Sequence, residues 1–353
     1  MRQRDGRDNT RREVAMIRLT LMKEWFDTVD GERRSPVAER IAAPWFAEPG
    51  DALVCCGPAS SNIVCRVTAA GRTYYLRCNH ESERTGADYA TEMAFVEHLA
   101  ARGVRVARPV PSRAGALVER VVTPLGVFHA VLLQAAEGTQ RDLVELDEPS
   151  LRVWGRTMGG LHAAAQGYVG AGRPDWRQHL ADATNLIPGA ETAAHRELEV
   201  VRRALSALPT DAACFGLIHF DMEADNMRWH DGAPTVFDFD DCAHYWFTAD
   251  VAYALRDLYG DRIERIDLAD WRLRAFVAGY RAEHALPESD LRLLPLFVRA
   301  HNLYWFGRLH RSVGVGMPLG QPQWLSDLRA KLLATMAAFR DGFEQRPVSA
   351  YLP

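Results

Sequence analysis

The hydrophobic pattern of the chain changes its period near residue 138. Before that point, short apolar runs typical of strands occur at 52–56, 63–67, 73–78, 116–122 and 127–133. One amphipathic helix, predicted over 87–101, interrupts them. Beyond residue 138, apolar residues recur mostly at the helical spacings of three and four. The sequence therefore predicts an α+β fold class, with a small N-terminal antiparallel sheet lobe carrying one main helix and a larger, mostly helical C-terminal lobe.

Composition excludes several classes of partner. The net charge of −4 lacks the basic excess of duplex-binding proteins, so we expect no nucleic acid partner. Without a run of 18 apolar residues or an apolar leader, we expect no membrane partner and a cytoplasmic location. The six cysteines form no C-x-x-C pair, which predicts reduced structural thiols. The sequence says nothing about oligomeric state.

A β-hairpin is predicted within the helical part of the chain. Short apolar runs at 226–229 and 235–237 flank an Asp-Gly pair at 231–232, which is a strong hairpin signal. One polar cluster, 219–226, enters the hairpin, and a second, 238–241, leaves it. The fold of a hairpin brings both clusters to the same end, so we expect Asn226 and Asp238 to be near neighbours.

The residue types at that end suit phosphoryl transfer. His219, Asp221 and Asn226 follow the pattern H-x-D-x-x-x-x-N, and Asp238 comes after the second strand. Such a reaction needs a carboxylate that accepts the proton of a hydroxyl, and hard oxygen ligands for Mg²⁺. Asp221 suits the first task, and Asn226 and Asp238 suit the second. The alternative is that these acids only cap turns. His219 is a catalytic candidate whose plainer role is to support the loop as a buried histidine.

The segment from Gly216 to Asp250 resembles the aminoglycoside phosphotransferase family, bacterial small-molecule kinases with the bilobal protein-kinase-like fold. Choline kinases, type II homoserine kinases, macrolide phosphotransferases and a bacterial stress-response Ser/Thr kinase have similar motifs. The resemblance runs from about residue 51 to about 343. It implies ATP and Mg²⁺ as cofactors, Asp221 as catalytic base, Asn226 and Asp238 as metal ligands, and Asp240 as a second acid at the metal or the substrate. The chain departs from the family at Phe220, where Gly is usual.

The N-terminal lobe offers candidate ATP-binding residues. Glu92 lies on the apolar face of the predicted helix and needs a partner, for which Arg77 on the preceding strand is the obvious candidate. The alternative is that both are solvated surface charges. Further candidates are Ser60, Ser61 and Asn62, in a loop that either binds phosphate or is a plain hairpin turn, and Gln134 and Ala136, which the resemblance places at the adenine-binding hinge.

The resemblance also divides the chain into domains. We expect 1–30 to be a disordered or helical extension, 31–137 to be the nucleotide-binding lobe, and 138–353 to carry the catalytic loop, the metal site and the acceptor pocket.

The expected activity is ATP- and Mg²⁺-dependent transfer of the γ-phosphoryl group to the hydroxyl of a small molecule. The acids clustered at 221–241 favour a cationic acceptor, such as an aminoglycoside or an amino alcohol. A set of late residues either lines the acceptor pocket or belongs to the core: His301, Tyr304, Trp305, Arg308 and His310. The alternatives are a Ser/Thr protein kinase of the stress-response type and a non-catalytic nucleotide-binding pseudokinase.

Overall fold

The structure, a computed structural model, describes residues 17–48, 50–57, 61–313 and 322–352. Ser60 and the first sixteen residues therefore lie outside the described residues. The first lobe consists of α1 (Leu19–Phe26), α2 (Pro36–Ala42), β1 (Ala52–Cys56), β2 (Ile63–Ala69), β3 (Arg72–His80), α3 (Gly86–Ala101), β4 (Pro109–Val110), β5 (Glu119–Thr123) and β6 (Gly126–Gln134).

The strands of this lobe form one antiparallel sheet in the order β1-β2-β3-β6-β4, and β5 also pairs with β6. The five predicted runs are all strands, although β5 begins at Glu119 rather than at 116. Alternating burial along β2, with Ile63, Cys65 and Val67 buried, shows that one face of the sheet covers the core.

Helix α3 packs on this sheet and starts one residue before its predicted range. Its N-terminus is closed by a capping box, in which Thr85 Oγ1 accepts from Asp88 N and the Asp88 carboxylate accepts from Thr85 N. Gly103, at φ +84°, follows the last turn, a conformation that glycine adopts at little cost. The buried face of α3 carries Glu92 among apolar residues, so the structure places a carboxylate inside the lobe.

The second lobe is mostly helical. Its elements are α4 (Glu148–Ala165), α5 (Trp176–Leu186), α6 (Thr192–Ser206), β7 (Phe215–Ile218), β8 (Met227–His230), β9 (Ala233–Val236), β10 (Ala243–Trp246), α7 (Phe247–Ala254), α8 (Arg256–Tyr259), α9 (Trp271–Tyr280), α10 (Glu288–Leu291), α11 (Leu294–Val313) and α12 (Gln323–Gln345). Strands β8 and β9 form the predicted hairpin, and β7 pairs with β10.

Helices α4 and α9 approach each other so closely that small residues are required between them. A Cβ atom at Gly155 would lie 1.9 Å from the carbonyl oxygen of Phe276, and one at Gly279 would lie 1.9 Å from that of Arg152. This close packing fixes the frame on which the β7–β10 segment rests.

The hairpin joins the lobes near the predicted boundary at Gly138. Thr139 and Trp229 exchange backbone hydrogen bonds of 3.1 and 2.8 Å, and Ala107 N donates to Val236 O at 2.9 Å. Gly138 has a φ of +89°, and a Cβ atom there would lie 1.9 Å from Trp229 O. Glycine is therefore required where the chain passes from one lobe to the other.

Helix α1 lies within the predicted N-terminal extension and packs on both lobes. Trp25 is buried with its ring 5.9 Å from that of Phe128 in the sheet, and the ring of Phe26 lies 4.7 Å from that of Trp324 on α12. All six cysteines are free. Among the described helices, none has both the length and the apolar character needed to cross a membrane.

Candidate active site

The loop between β7 and β8 is held by one buried carboxylate. Asp250, on α7, accepts hydrogen bonds from His219 N at 3.0 Å and from Phe220 N at 2.8 Å. It also lies 3.0 Å from His162 Nε2. Phe220 has a φ of +75° and is fully buried. The carboxylate therefore fixes two successive peptide groups in a turn that a bulky residue rarely adopts.

The ring of His219 is engaged on both sides. Its Nε2 lies 3.0 Å from Phe237 O, and its Nδ1 accepts from Asp221 N at 3.2 Å. A neutral imidazole with its proton on Nε2 satisfies both bonds, and burial lowers the pKa of His219. The geometry thus makes His219 a support for the loop, since neither nitrogen is left for proton transfer.

Asp221 lies where the loop opens to solvent, with 30 % of its side chain exposed. Its Oδ1 accepts from Arg256 Nη2 at 2.9 Å, and its Oδ2 accepts from Asn226 Nδ2 at 3.0 Å. The same guanidinium lies 2.6 Å from Glu223 Oε1. Burial raises the pKa of Asp221 to about 7, and Arg256 opposes that rise. A carboxylate with a pKa near neutrality is well suited to accept a hydroxyl proton.

The hairpin brings Asn226 and Asp238 together as predicted. Phe237 N donates to Asn226 O at 3.1 Å, which closes the hairpin end beside Asp238. Because Asn226 Nδ2 donates to Asp221, its Oδ1 is the atom left for a cation. Asp238, at φ +66°, is one third exposed and accepts at Oδ1 from Arg77 Nη1 at 2.7 Å. Burial, together with the charge of Asp240, raises the pKa of Asp238 to about 8.

Two protein oxygen ligands are enough for Mg²⁺, because Mg²⁺ takes most of its other ligands from water and phosphate. A metal ion that is coordinated only by protein atoms would need more ligands. Within the described residues, no cluster of three or more His, Cys, Asp or Glu side chains could hold a metal ion. Asn226 Oδ1 and the Asp238 carboxylate are oxygen donors of the kind that Mg²⁺ accepts beside water and phosphate.

Arg77 and Glu92 form a buried ion pair. Arg77 Nη2 lies 2.5 Å from both Glu92 oxygens, and the two side chains are only 3 % and 2 % exposed. The second guanidinium nitrogen contacts Asp238, so one arginine links β3, α3 and the end of the hairpin. The coulombic effect of Glu92 and Asp238 outweighs burial and raises the pKa of Arg77 further.

A cavity of about 240 Å³, here called the cleft cavity, opens between the lobes beside this pair. Its apolar lining includes Val64, Ala107, Leu133, Ala136 and Phe237, and its polar lining includes Arg77, Asp238 and Gln134. Gln134 N donates to Arg108 O at 2.9 Å, whereas Ala136 N makes no hydrogen bond to any described residue. An apolar slot that ends at a cation and a carboxylate matches a nucleotide base and its phosphates in character.

The described residues of the predicted phosphate loop, Ser61 and Asn62, have different surroundings. Ser61 lines a different cavity, of about 390 Å³. Asn62 is buried, with Nδ2 donating to Asp240 Oδ2 at 2.6 Å and Oδ1 accepting from Asn79 Nδ2 at 2.6 Å. The Asn62 side chain is thus occupied in joining the lobes.

Asp240 and its neighbour Asp241 are both held by arginine. Arg84 Nη2 lies 2.8 Å from Asp240 Oδ2 and 2.8 Å from Asp241 Oδ1. Arg308 Nη1 lies 3.0 Å from the same Asp241 oxygen. Arg173 donates to the Asp240 carbonyl oxygen. These contacts surround the cavity that Ser61 lines, here called the arginine cavity.

The late residues divide between that cavity and the core. Tyr304 and Arg308 line the arginine cavity. His301 and Trp305 are buried in the lobe, and Trp305 Nε1 donates to His301 Nε2. His310 is partly buried and lines neither cavity.

Sequence reasoning missed four residues of this site. Asp250 and Arg256 carry a local signal, because they are charges in and directly after the apolar run 247–255. Arg84 and Arg173 carry none, since each lies in an ordinary polar segment far from the acids that it contacts.

The sequence matches the model of the phosphotransferase enzyme family over residues 57–286. Amicoumacin kinase of Bacillus subtilis is 26 % identical over 262 residues, which span 71 % of this chain and 78 % of that protein.

Solved structures share the architecture. Amicoumacin kinase hAmiN, in complex with AMP-PNP, Ca²⁺ and Ami, superposes with a TM-score of 0.73 at 24 % identity, over 92 % of this chain and 97 % of that one. A microcompartment-associated aminopropanol kinase gives a TM-score of 0.65 at 22 % identity, over 89 % and 98 %. These likenesses confirm the predicted bilobal kinase-like fold.

Proposed function

The chain belongs to the phosphotransferase enzyme family, and from this premise we propose that it transfers the γ-phosphoryl group of ATP to the hydroxyl of a small molecule, with Mg²⁺ as cofactor. The observation that carries the proposal is the meeting of Asp221, Asn226, Asp238 and the Arg77–Glu92 pair beside the cleft cavity. A base, two oxygen ligands and a fixed cation are the groups that phosphoryl transfer requires.

The N-terminal lobe would hold the nucleotide. The apolar lining of the cleft cavity suits an adenine ring, and Ala136 N is free to donate to it. Arg77, kept in place by Glu92, would supply a fixed positive charge beside the phosphates. The pair is buried, so its orientation is fixed before the nucleotide arrives.

Asn226 and Asp238 would hold the metal ion. When bound, Mg²⁺ supplies positive charge that stabilises the phosphate oxygens during transfer. The protein contributes position, because the backbone bond from Phe237 to Asn226 and the contact of Asp238 with Arg77 fix both ligands.

Asp221 would orient the acceptor hydroxyl and take its proton. Asn226 and Arg256 hold the two oxygens of this carboxylate and fix its orientation. The bonds to Asp250 hold the loop itself. Transfer then proceeds in line from the nucleotide to the acceptor, with each group preset in the closed site.

The test measures ADP release from Mg-ATP over aminoglycosides, macrolides, amino alcohols, homoserine, hydroxy acids and a generic protein. Asp221→Asn and Asp238→Ala should each abolish acceptor-dependent release while leaving the fold intact. Asp231→Asn is the matched control, because Asp231 is exposed in the turn of the same hairpin and asparagine tolerates its φ of +52°.

Retained turnover in either site variant would refute the roles given to those residues. Release that depends only on the protein substrate would favour the Ser/Thr kinase alternative. Tight ATP binding without release for any acceptor would favour the pseudokinase.

A further inference from the structure

Arginines contact five acids of the acidic segment of the site and offset part of their negative charge. Asp221 and Glu223 share Arg256, Asp238 contacts Arg77, and Asp240 and Asp241 contact Arg84. At contact distance, opposite charges cancel most of the field that either would project. The number of acids in one stretch of sequence therefore overstates the negative charge that the folded site presents to an acceptor.

The arginine cavity lies beside the loop that carries Asp221. Tyr304, which lines this cavity, packs its ring 5.6 Å from that of Phe220, the residue before Asp221. The cavity, at about 390 Å³, is large enough for a small metabolite. It therefore has the size of an acceptor pocket and lies beside the loop that carries Asp221.

Two arginines of the cavity have positive charge that the protein leaves incompletely balanced. Arg173 is 9 % exposed and donates to three backbone carbonyl groups, those of Cys242, Asp88 and Asp240. Within the described residues, no carboxylate lies within 4.0 Å of it. Carbonyl groups satisfy its hydrogen bonds but carry no net charge, so a buried guanidinium there favours an anion nearby.

Arg308 has hydrogen-bond donors that can orient a ligand in the cavity. Its Nη1 donates to Asp241 and Tyr304, each at 3.0 Å. Its Nε and Nη2 make no hydrogen bond to any described residue. The guanidinium lies over the ring of Trp305 at 4.5 Å, which limits its movement. An arginine held flat with donors to spare is suited to a carboxylate.

The remaining charged groups of the cavity are already occupied. Glu83 is bound by Arg311 at 2.5 Å and by Arg18 at 2.7 Å. Asp88 caps α3, and Asp182 accepts from Gln178 at 2.7 Å. His179 is neutral, because burial lowers its pKa to about 3. An entering carboxylate thus meets the unused donors of Arg308 and the charge of Arg173, while the acids of the cavity are hydrogen-bonded within the protein.

From this arrangement we propose that the acceptor is a hydroxy acid, whose carboxylate binds Arg308 and faces Arg173 in the arginine cavity while its hydroxyl reaches Asp221. The part of the proposal that concerns the acceptor hydroxyl rests on the proposed function. The part that concerns the acceptor carboxylate rests on the arginine cavity alone.

The test compares hydroxy acids with their primary amides, which have nearly the same size but lack the carboxylate charge. The pairs are glycerate and glyceramide, serine and serinamide, and threonine and threoninamide. We expect the full-length enzyme to prefer each acid that it uses by about tenfold or more in kcat/KM, as a charge-assisted hydrogen bond implies. Arg308→Gln should remove this preference by lowering kcat/KM for the acid far more than for the amide, whereas Arg308→Lys should retain part of the preference. Arg156→Gln, on the exposed face of α4, is the matched control.

Equal use of acids and amides, or an equal loss for both in Arg308→Gln, would overturn the proposal. If no pair is turned over, calorimetric titration of the same compounds into enzyme with AMP-PNP and MgCl₂ decides. Tighter binding of an acid than of its amide, lost in Arg308→Gln, supports the cavity assignment even where the kinase proposal has failed. No difference in binding overturns it.

Discussion

Phe220 places a bulky residue in a backbone conformation that suits glycine. Its φ of +75° brings the Cβ atom of an L-residue close to the backbone, at a cost of about 1–2 kcal/mol. The ring is fully buried among other aromatic rings, including Tyr253 at 4.9 Å and His179 at 5.1 Å. Burial of the ring therefore offsets the strain, and the two effects can be separated by mutation.

Phe220→Ala keeps the strain and loses the ring, so the free energy of unfolding should fall by about 3–5 kcal/mol. Phe220→Gly loses the ring but also relieves the strain. The control is Phe276, equally buried on helix α9, where glycine is expected to be about 1 kcal/mol worse than alanine. At each position, the free energy of unfolding of the Gly variant is compared with that of the Ala variant. This difference should favour glycine by about 1–2 kcal/mol more at position 220 than at position 276, because only at position 220 does glycine relieve strain.

Urea unfolding of the four variants, followed by tryptophan fluorescence, measures this difference. The comparison requires that the variants have the same m-value. The expected losses are a large share of the about 5–15 kcal/mol that is typical of a domain, so each variant is compared only where it shows a folded baseline before the transition. If glycine is worse than alanine by the same amount at both positions, the strain assigned to Phe220 does not exist.

Two further substitutions test the charge pairs of the site. Glu92→Gln leaves Arg77 buried without its main counter-charge, so the free energy of unfolding should fall by about 3–5 kcal/mol and the KM for ATP should rise; an unchanged urea midpoint would contradict this. Arg256→Gln frees one oxygen of Asp221, so kcat should fall by about 10–100-fold with the KM for ATP unchanged, as loss of a charge-assisted bond implies; steady-state kinetics at saturating acceptor measures this, and an unchanged kcat would count against the role of Arg256.

Local pattern was sufficient for much of the fold and for part of the site. The hairpin could be predicted because an Asp-Gly turn between apolar runs leaves few alternatives, and it brought Asn226 beside Asp238. The pairing of Arg77 with Glu92 could be predicted because a carboxylate on an apolar helix face needs a nearby cation. Both predictions concern residues that are close in the sequence or lie on elements that pack against each other.

The charge of the site could not be predicted in the same way. Counting acids between 221 and 241 ignores counter-ions that come from elsewhere in the chain. Arg84 lies in a turn of the first lobe, and Arg308 is on α11. Their meeting at Asp240 and Asp241 depends on the packing of both lobes, for which no local periodicity gives a signal.

The segment 238–241 also joins the lobes, and this bears on how an acceptor is chosen. Each of its three carboxylates accepts a hydrogen bond from a side chain of the first lobe, with donors Arg77, Asn62 and Arg84. Because these contacts cross the cleft, separation of the lobes would remove counter-charges from buried acids, which is unfavourable. The contacts that hold the cleft closed thus also supply the counter-charges of these acids. An acceptor that binds this closed arrangement therefore meets acids whose negative charge the arginines partly offset.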